Sequence, residues 1–374
     1  MTHSRLGTKI VCPNDGSTNV HWAVDHQKFH CDSCRHKFDQ IRPVITEGTV
    51  LFNGIPVDEK ISASLEVPDN IAEYKCTGCG AEVILDTTTS MGARCSWCRN
   101  ELAMNKVIDT EFTPNGIIPF VVTKDHALEA FRKFVKKHWF VRKDFASKDA
   151  DLEVKAIYYP FYALDRHWEF TVTGTGEHKS MSYRSGNYIY TDYTDYAISA
   201  QAKAFVDDFE KPALREIRDL LVVNNVQPYD WEKVRPFDYA YLNSFAAEHR
   251  DEDLTVAMGY INNEIMKMLH EDLNRRLQKA LQLTKATVGK LEGVPKDEIA
   301  YCLAPMWLIT YTDQKEKRVY YFAMNGQTGK VSGILPVSWQ KLTTFLVIFT
   351  LVASLLAALL NLFFLVLASH GGNT

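Results

Sequence analysis

Apolar and polar positions along this chain follow three patterns, and each predicts a different element. Between Asp253 and Leu291, Leu254, Met258, Ile261, Ile265, Leu269, Leu273, Leu277 and Leu281 recur at three- and four-residue steps. That is one long amphipathic helix with a core-packing stripe. A shorter helix is expected near Lys124–Phe140, with Ala127, Phe131, Phe134, Val135 and His138 on one side. Arg132, Lys133, Lys136 and Lys137 decorate its other side, either as a solvated face or as a surface for anionic lipid headgroups. Period-two and strand-like runs cover Ile117–Val122, Val154–Leu164, Trp168–Thr173, Asn187–Tyr193, Tyr301–Tyr311, Arg318–Met324 and Val331–Leu335. Breaks are expected at Gly174–Gly176, at Ser185–Gly186 and at the favoured hairpin pair Asn325-Gly326, with Thr328-Gly329 extending that loop. Tyr183, Tyr188, Tyr190, Tyr193 and Tyr196 read as packing residues on strand faces rather than base-stacking ones. Pro160-Phe161-Tyr162 and Pro305-Met306-Trp307 share the pattern that an internal repeat would leave.

The third pattern is an unbroken apolar run. Nothing from Leu342 to Ser369 is charged, and Phe345–Ala368 is apolar except for Thr350, Ser354 and Asn361. A span needs about 20 such residues, so a single transmembrane helix is predicted at 342–369. Lys315, Lys317, Arg318, Lys330 and Lys341 precede it, and no Lys or Arg follows. The positive-inside rule then predicts a single-pass, tail-anchored protein of the cytoplasmic membrane with its N-terminal domains in the cytoplasm. Ala353 and Ala357 form a small-xxx-small step and Asn361 adds an amide, which gives the span a route to self-association.

Composition changes the picture in two ways. Forty-two basic against 46 acidic residues leave a net charge of −4, so the basic footprint of a general nucleic-acid binder is absent. Residues 1–110 hold 11 Lys and Arg against 14 Asp and Glu, which makes the cysteine-rich region acidic as well. Seven of the eight cysteines lie in the first 98 residues, and Met1–Val11 has no apolar stretch long enough for a signal peptide. In a reducing compartment such cysteines point to metal rather than to disulfides.

Their spacing is specific. Cys76, Cys79, Cys95 and Cys98 read C-x2-C-x15-C-x2-C, two thiolate turns that together make a closed tetrahedral zinc site. Adding 64 to Cys12, Cys31 and Cys34 gives Cys76, Cys95 and Cys98, and adding 64 to Asp15 gives Cys79. The first set is therefore a repeat of the second with a carboxylate for one thiolate. Its fourth ligand is Asp15 or one of His21, His26 and His30, and a ribbon with weak or no metal is the remaining alternative. Two zinc ions are expected, one firm and one weaker. Ribbons this small rely on metal for folding free energy.

Catalytic motifs fail on inspection. Gly326–Val331 lacks the glycine spacing and hydroxyl residue of a phosphate-binding loop, and His270-Glu271 lacks a second histidine at 274. Cys302 lies in an apolar segment, as an inert buried thiol would. No enzymatic activity is expected.

Several motifs together resemble a family: Cys76-Thr-Gly-Cys79-Gly80, Cys95-Ser-Trp-Cys98, Gly116-Ile-Ile-Pro119-Phe120, Tyr158-Tyr-Pro160-Phe161 and Asn325-Gly-Gln-Thr-Gly329-Lys330. The chain is similar over nearly its whole length to bacterial membrane-anchored proteins with paired TFIIB-type zinc ribbons, often labelled primosomal-helicase-like. The resemblance implies zinc ligands at Cys12, Cys31, Cys34, Cys76, Cys79, Cys95 and Cys98, with Asp15 departing from the usual cysteine. It also implies association with SPFH or phage-shock-type membrane proteins. The helicase label does not carry over, because the chain has no complete Walker A loop.

The expected architecture is α+β: a first zinc ribbon at 1–48, a second at 70–108, an α+β domain with antiparallel strands and a long helix at 110–338, then the span. The expected role is a recruitment or scaffold platform for other proteins at the membrane face. A membrane-tethered nucleic-acid binder is the alternative, with Arg94 and Arg99 as its candidate basic patch.

Overall fold

The structure is a computed structural model that describes residues 9–40, 50–57, 67–87, 94–107, 113–142, 145, 152–215, 220–313 and 318–370. Its strands are β1 (Val20–Ala23), β2 (Lys28–Cys31), β3 (Lys37–Phe38), β4 (Leu51–Phe52), β5 (Ile55–Pro56), β6 (Ile71–Cys76), β7 (Glu82–Asp86), β8 (Leu102–Val107) and β9 (Gly116–Ile117). Helix α1 (Lys124–Lys136) leads to β10 (Leu152–Ser185) and β11 (Tyr188–Pro212), then α2 (Leu220–Val226), β12 (Arg235–Pro236) and β13 (Ala246–Glu248). The long helix α3 (Leu254–Ala280) precedes β14 (Lys285–Glu292), β15 (Lys296–Asp313), β16 (Arg318–Asn325), β17 (Val331–Gly333) and the apolar helix α4 (Trp339–His370). The molecule is α+β, dominated by antiparallel pairing.

One strand pair sits at the centre. β10 and β15 run antiparallel from Leu152↔Tyr311 to His167↔Lys296. β9 joins β15 in parallel at Cys302 and Leu303, while β13 joins β10 in parallel at Ile157 and Tyr158. β11 folds back on β10 as β16 folds back on β15. These relations make a pseudo-two-fold. Pro160 and Pro305, Ile157 and Cys302, and Tyr158 and Leu303 are each 145 positions apart, and the pair Tyr159↔Ala304 maps onto itself.

The helices repeat too. Thr123 caps α1 and Asp253 caps α3, and the buried residues Ala127, Phe131 and Val135 stand 130 positions before Ala257, Ile261 and Ile265. Both caps accept a backbone N–H of the first turn, which satisfies a donor that the helix itself leaves unpaired. α1 packs on Ile309, Tyr311 and Phe322 of the second unit; α3 packs on Tyr162 and Leu164 of the first. Each helix thus packs on strands of the other unit as well as its own, so the two units share a core.

Four readings from periodicity change. β10 runs through Gly174 and Gly176 without a turn. A side chain at Gly174 would place Cβ 2.3 Å from the Thr287 carbonyl oxygen, and one at Gly176 would strike Leu283 and Ile198, so these glycines allow close strand and side-chain approach. The helical pattern stops at Ala280, and 285–292 instead extends the sheet as β14. Asn325-Gly326 is not a two-residue turn: Asn325 N donates to Lys330 O, and Gly329 supplies the left-handed residue, with φ of 76°. The five tyrosines lie on strand faces but are exposed.

The 325–330 loop clamps a neighbour. Buried Asn325 donates from Nδ2 to the carbonyls of Val226 (3.0 Å) and Pro228 (3.2 Å), and its Oδ1 accepts from Gln327 N and Thr328 N. Gln327 exchanges two bonds with the Asp230 backbone, and Lys330 Nζ donates to Gln227 O. The motif that resembled a phosphate loop therefore holds the 226–230 segment. On its far side, Glu210 Oε2 accepts from Tyr229 N and Trp231 Nε1.

Replacing Asn325 with Ala strands the buried Val226 carbonyl and removes the partner of three part-buried groups, and should cost about 2–4 kcal/mol, read by denaturant unfolding. Burial raises the Glu210 carboxyl from 4.5 to about 7 against the pull of Tyr229 N–H and the Trp231 indole. Between these values the folded chain holds a proton that the unfolded chain has lost, so stability falls as pH rises through that window and is level above it. Glu210→Gln should accordingly stabilise the chain by roughly 1–3 kcal/mol at pH 8, with the gain fading toward pH 4.5. A gain larger at pH 4.5 than at pH 8 would refute the assignment.

Candidate metal centres

Each half of a cysteine cluster is a tight turn closed by the backbone. Gly16 N donates to Cys12 O (2.9 Å) and Gly80 N to Cys76 O (3.0 Å), and both glycines have φ of 72°. Arg35 N donates to Cys31 O (2.8 Å) and Arg99 N to Cys95 O (3.0 Å), with φ of 62° and 64°. Cys12 N–Ser17 O and Cys31 N–His36 O recur as Cys76 N–Ala81 O and Cys95 N–Asn100 O. All four bonds repeat at the offset of 64. The repeat seen in ligand spacing is thus a repeat of backbone geometry.

The side chains converge in two groups whose ligand atoms all lie within 4.8 Å: Cys76, Cys79, Cys95 and Cys98, and Cys12, Asp15, Cys31 and Cys34. Each group can hold a metal ion. Cys76 and Cys98 sulfurs are 3.3 Å apart, Cys79 and Cys95 3.5 Å, and Cys12 and Cys34 3.5 Å. A disulfide would need about 2.05 Å. A tetrahedral cage with metal–sulfur bonds of about 2.3 Å has edges of roughly 3.8 Å, close to what the cysteines show.

Both Asp15 oxygens lie 3.6 Å from the Cys31 sulfur, which puts the carboxylate where the fourth thiolate would be. The rival histidines turn elsewhere. His21 Nδ1 is 3.1 Å and His30 Nδ1 3.7 Å from Asp32, and His26 Nε2 is 3.1 Å from Asp25. Asp15 is exposed, whereas Cys12 and Cys31 are buried, so the first cluster has one open side.

Backbone N–H groups polarise both sites. Burial works to raise the Cys76 thiol, but N–H groups of Cys79 and Gly78 and the neighbouring thiols outweigh it and bring it down to about 7. The Ser17 N–H, 3.0 Å from Oδ1, holds Asp15 below the usual carboxylate range. At Cys302 the balance is reversed: burial pushes its thiol up despite a hydrogen bond from the Gly116 backbone.

No family model matches the chain, and no solved structure matches it. It is similar to uncharacterized protein YdjG of Bacillus subtilis (strain 168), with 26% identity over 238 residues. The match covers 62% of this chain and 66% of that protein, just under two thirds of its length.

Both clusters are built into the larger fold. β6, β7 and β8 join the central sheet through β7–β13 pairing, and Trp97 Nε1 donates to buried Glu248. Arg99 is committed to the protein as well: its guanidinium donates to Thr310 O (2.8 Å) and lies 2.9 Å from Glu153. The three-stranded sheet of β1–β3 is pinned by Trp22 Nε1 to Phe120 O (3.0 Å), Asn243 Nδ2 to Val20 O (2.5 Å) and Ile10 N to Asp238 (2.9 Å). Sequence reasoning found the clustered residues but missed these anchors. Trp97, inside the second motif, was the available signal.

A separate seam joins α1 to the apolar helix. Ser338 N donates to Phe140 O (2.7 Å), Lys341 Nζ donates to Val141 O (2.6 Å), and Phe140 meets Phe345 edge to face at 5.4 Å. Trp339–Leu362 is long and apolar enough to cross a membrane, and none of its most apolar stretch is buried against the chain. Thr350 Oγ1 is satisfied by the carbonyls of Leu346 and Val347 (2.9 Å each).

Asp15→Cys should tighten metal binding at the first cluster and leave the second unchanged, because thiolate is the softer ligand. Cobalt(II) titration checks this through sulfur-to-metal absorption. Unchanged affinity at the first cluster would remove Asp15 from its ligand set.

Proposed function

We propose that this chain is a non-enzymatic zinc-ribbon platform that gathers other proteins at the cytoplasmic face of a membrane. The observation that carries it is a thiolate set of four protein ligands, Cys76, Cys79, Cys95 and Cys98, welded into the sheet. Zinc suits that donor set, and four protein ligands leave no position for a catalytic water. The metal then acts as a fold requirement. The first cluster, with Asp15 on its open side, holds a second and weaker zinc.

The seam supports the membrane part of the reading. α1 exposes Arg132, Lys133 and Lys136, followed by exposed Lys137 and by Trp139, which is 79% exposed. Phe140 touches Phe345, near the start of the apolar run, so this basic, Trp-bearing stretch lies at the depth of the headgroups. Anionic lipid of the cytoplasmic leaflet matches that charge. The resemblance to membrane-anchored ribbon proteins points to SPFH or phage-shock-type partners. Confinement to two dimensions raises the effective concentration of weak sites, so modest contacts suffice for assembly.

The nucleic-acid alternative loses one of its two candidate arginines, since Arg99 is bonded to Thr310 and Glu153. The test uses full-length, metal-loaded chain. Detergent-solubilised membranes should yield protein partners in fixed ratio, and the purified chain should show no salt-steep affinity for DNA or RNA. Salt-steep nucleic-acid binding at physiological ionic strength, with no protein partner retained in membranes, would overturn the platform reading.

A further inference from the structure

We propose that the chain forms a two-fold dimer by antiparallel pairing of β11 with β11 of a second copy, centred on Ser199. This goes beyond the platform reading and does not depend on it. β11 is paired with β10 along one edge, and among the described residues no strand lies along the other. Such an edge is a row of N–H and C=O groups ready to receive another strand.

Proteins guard open edges with proline, bulges and charge. Here the guards on β11 itself stand at one end, while a second irregularity, between Lys179 and Met181, falls on β10 opposite Tyr193 and Asp192. Pro212 closes β11, and the register slips between Leu164 and Arg166, where Asp208 takes φ of 55°. From Asp192 to Val206 the strand has no proline and is continuous, and Tyr196–Ala202 carries no charge.

Side-chain parity sets the register. Opposed residues in an antiparallel pair share a face, so a two-fold pairing joins odd positions with odd and even with even. Within 192–206 the one cation is Lys203, and the acids are Asp192 and Asp195. Asp195 alone shares the face of Lys203. Setting Asp195 opposite Lys203 of the second copy puts Ser199 on the axis and creates a second, identical ion pair across it. The same register opposes Tyr193 to Phe205, aromatic side chains that are 55% and 64% exposed in the single chain. Cross-strand ionic and aromatic pairs are the units that stabilise a sheet.

Charges inside one chain favour the same match. Asp195 stands directly opposite Glu177, two like charges with Lys285 3.8 Å from Glu177. Lys203 of the second copy adds a cation to that pair while keeping its own contact with Glu169. The even face gains cover as well. Lys211 and Glu264, 2.9 Å apart, mark the flank of α3 that borders β11, and exposed Tyr260 and Met268 lie one turn to either side. In this register the outer part of one hairpin, with Tyr188, Tyr190 and Tyr196 exposed on its even face, runs past that flank of the second copy.

The test uses the full-length chain in detergent. Ser199→Cys should give a disulfide-linked dimer on mild oxidation, well above the unsubstituted chain, because position 199 faces itself. Ala197→Cys should not, since it faces Gln201, whereas Ala197→Cys combined with Gln201→Cys should. Asp195→Lys or Lys203→Asp alone should weaken the dimer about tenfold by sedimentation, and the two together should restore it. Association should survive Ala353→Leu with Asn361→Leu in the apolar helix. Cross-linking at 199 no stronger than at 197, failure of the charge exchange to restore association, or dependence on the apolar helix instead would each overturn the proposal.

Discussion

Everything in this molecule hangs from one antiparallel pair, β10 with β15, and from the Tyr159↔Ala304 contact at its pseudo-axis. Each strand offers its outer edge first to a short parallel strand of the other unit and then to its own return strand. Each unit's helix also packs on the other unit's strands. The core is therefore shared, and its cost in chain entropy is recovered only when both units are present. Disturbing Pro160, Leu164, Pro305 or Ile309 acts on both halves at once.

The cysteine clusters were legible in sequence because each half of a cluster is local. Two residues between thiols fix a turn, and a turn of one geometry leaves the same spacing wherever it occurs. The long-range repeat was legible only at Pro160-Phe161-Tyr162 and Pro305-Met306-Trp307. The helices repeat by physical class, Phe131 against Ile261 and Val135 against Ile265, with Ala127 and Ala257 as the identical pair. The offset then widens from 130 to 145, because the second unit has a longer helix and fits β14 between helix and strand. Periodicity carries no information about such an insertion.

Glycine was misread for a related reason. At Gly174, Gly176 and Gly326 the residue is demanded by a neighbour's approach, such as the Thr287 backbone or the Phe120 ring, rather than by a turn. Sequence shows that a side chain is missing but not what fills its place. The same blindness hid the anchors of the clusters, since Glu248 lies 151 residues from Trp97 and Thr310 lies 211 from Arg99.

Those anchors decide what a metal ion can do here. A free ribbon would gain its fold from metal and pass nothing on. In the second cluster, Trp97 follows Cys95 by two residues and grips Glu248 on β13, while Arg99 follows Cys98 directly and grips Thr310 on β15. β13 and β15 are the two neighbours of β10 at the pseudo-axis. Ordering the thiolate turns thus orders the two side chains that hold them to the centre of the sheet. Binding free energy of a metal held there would become stability of the shared core.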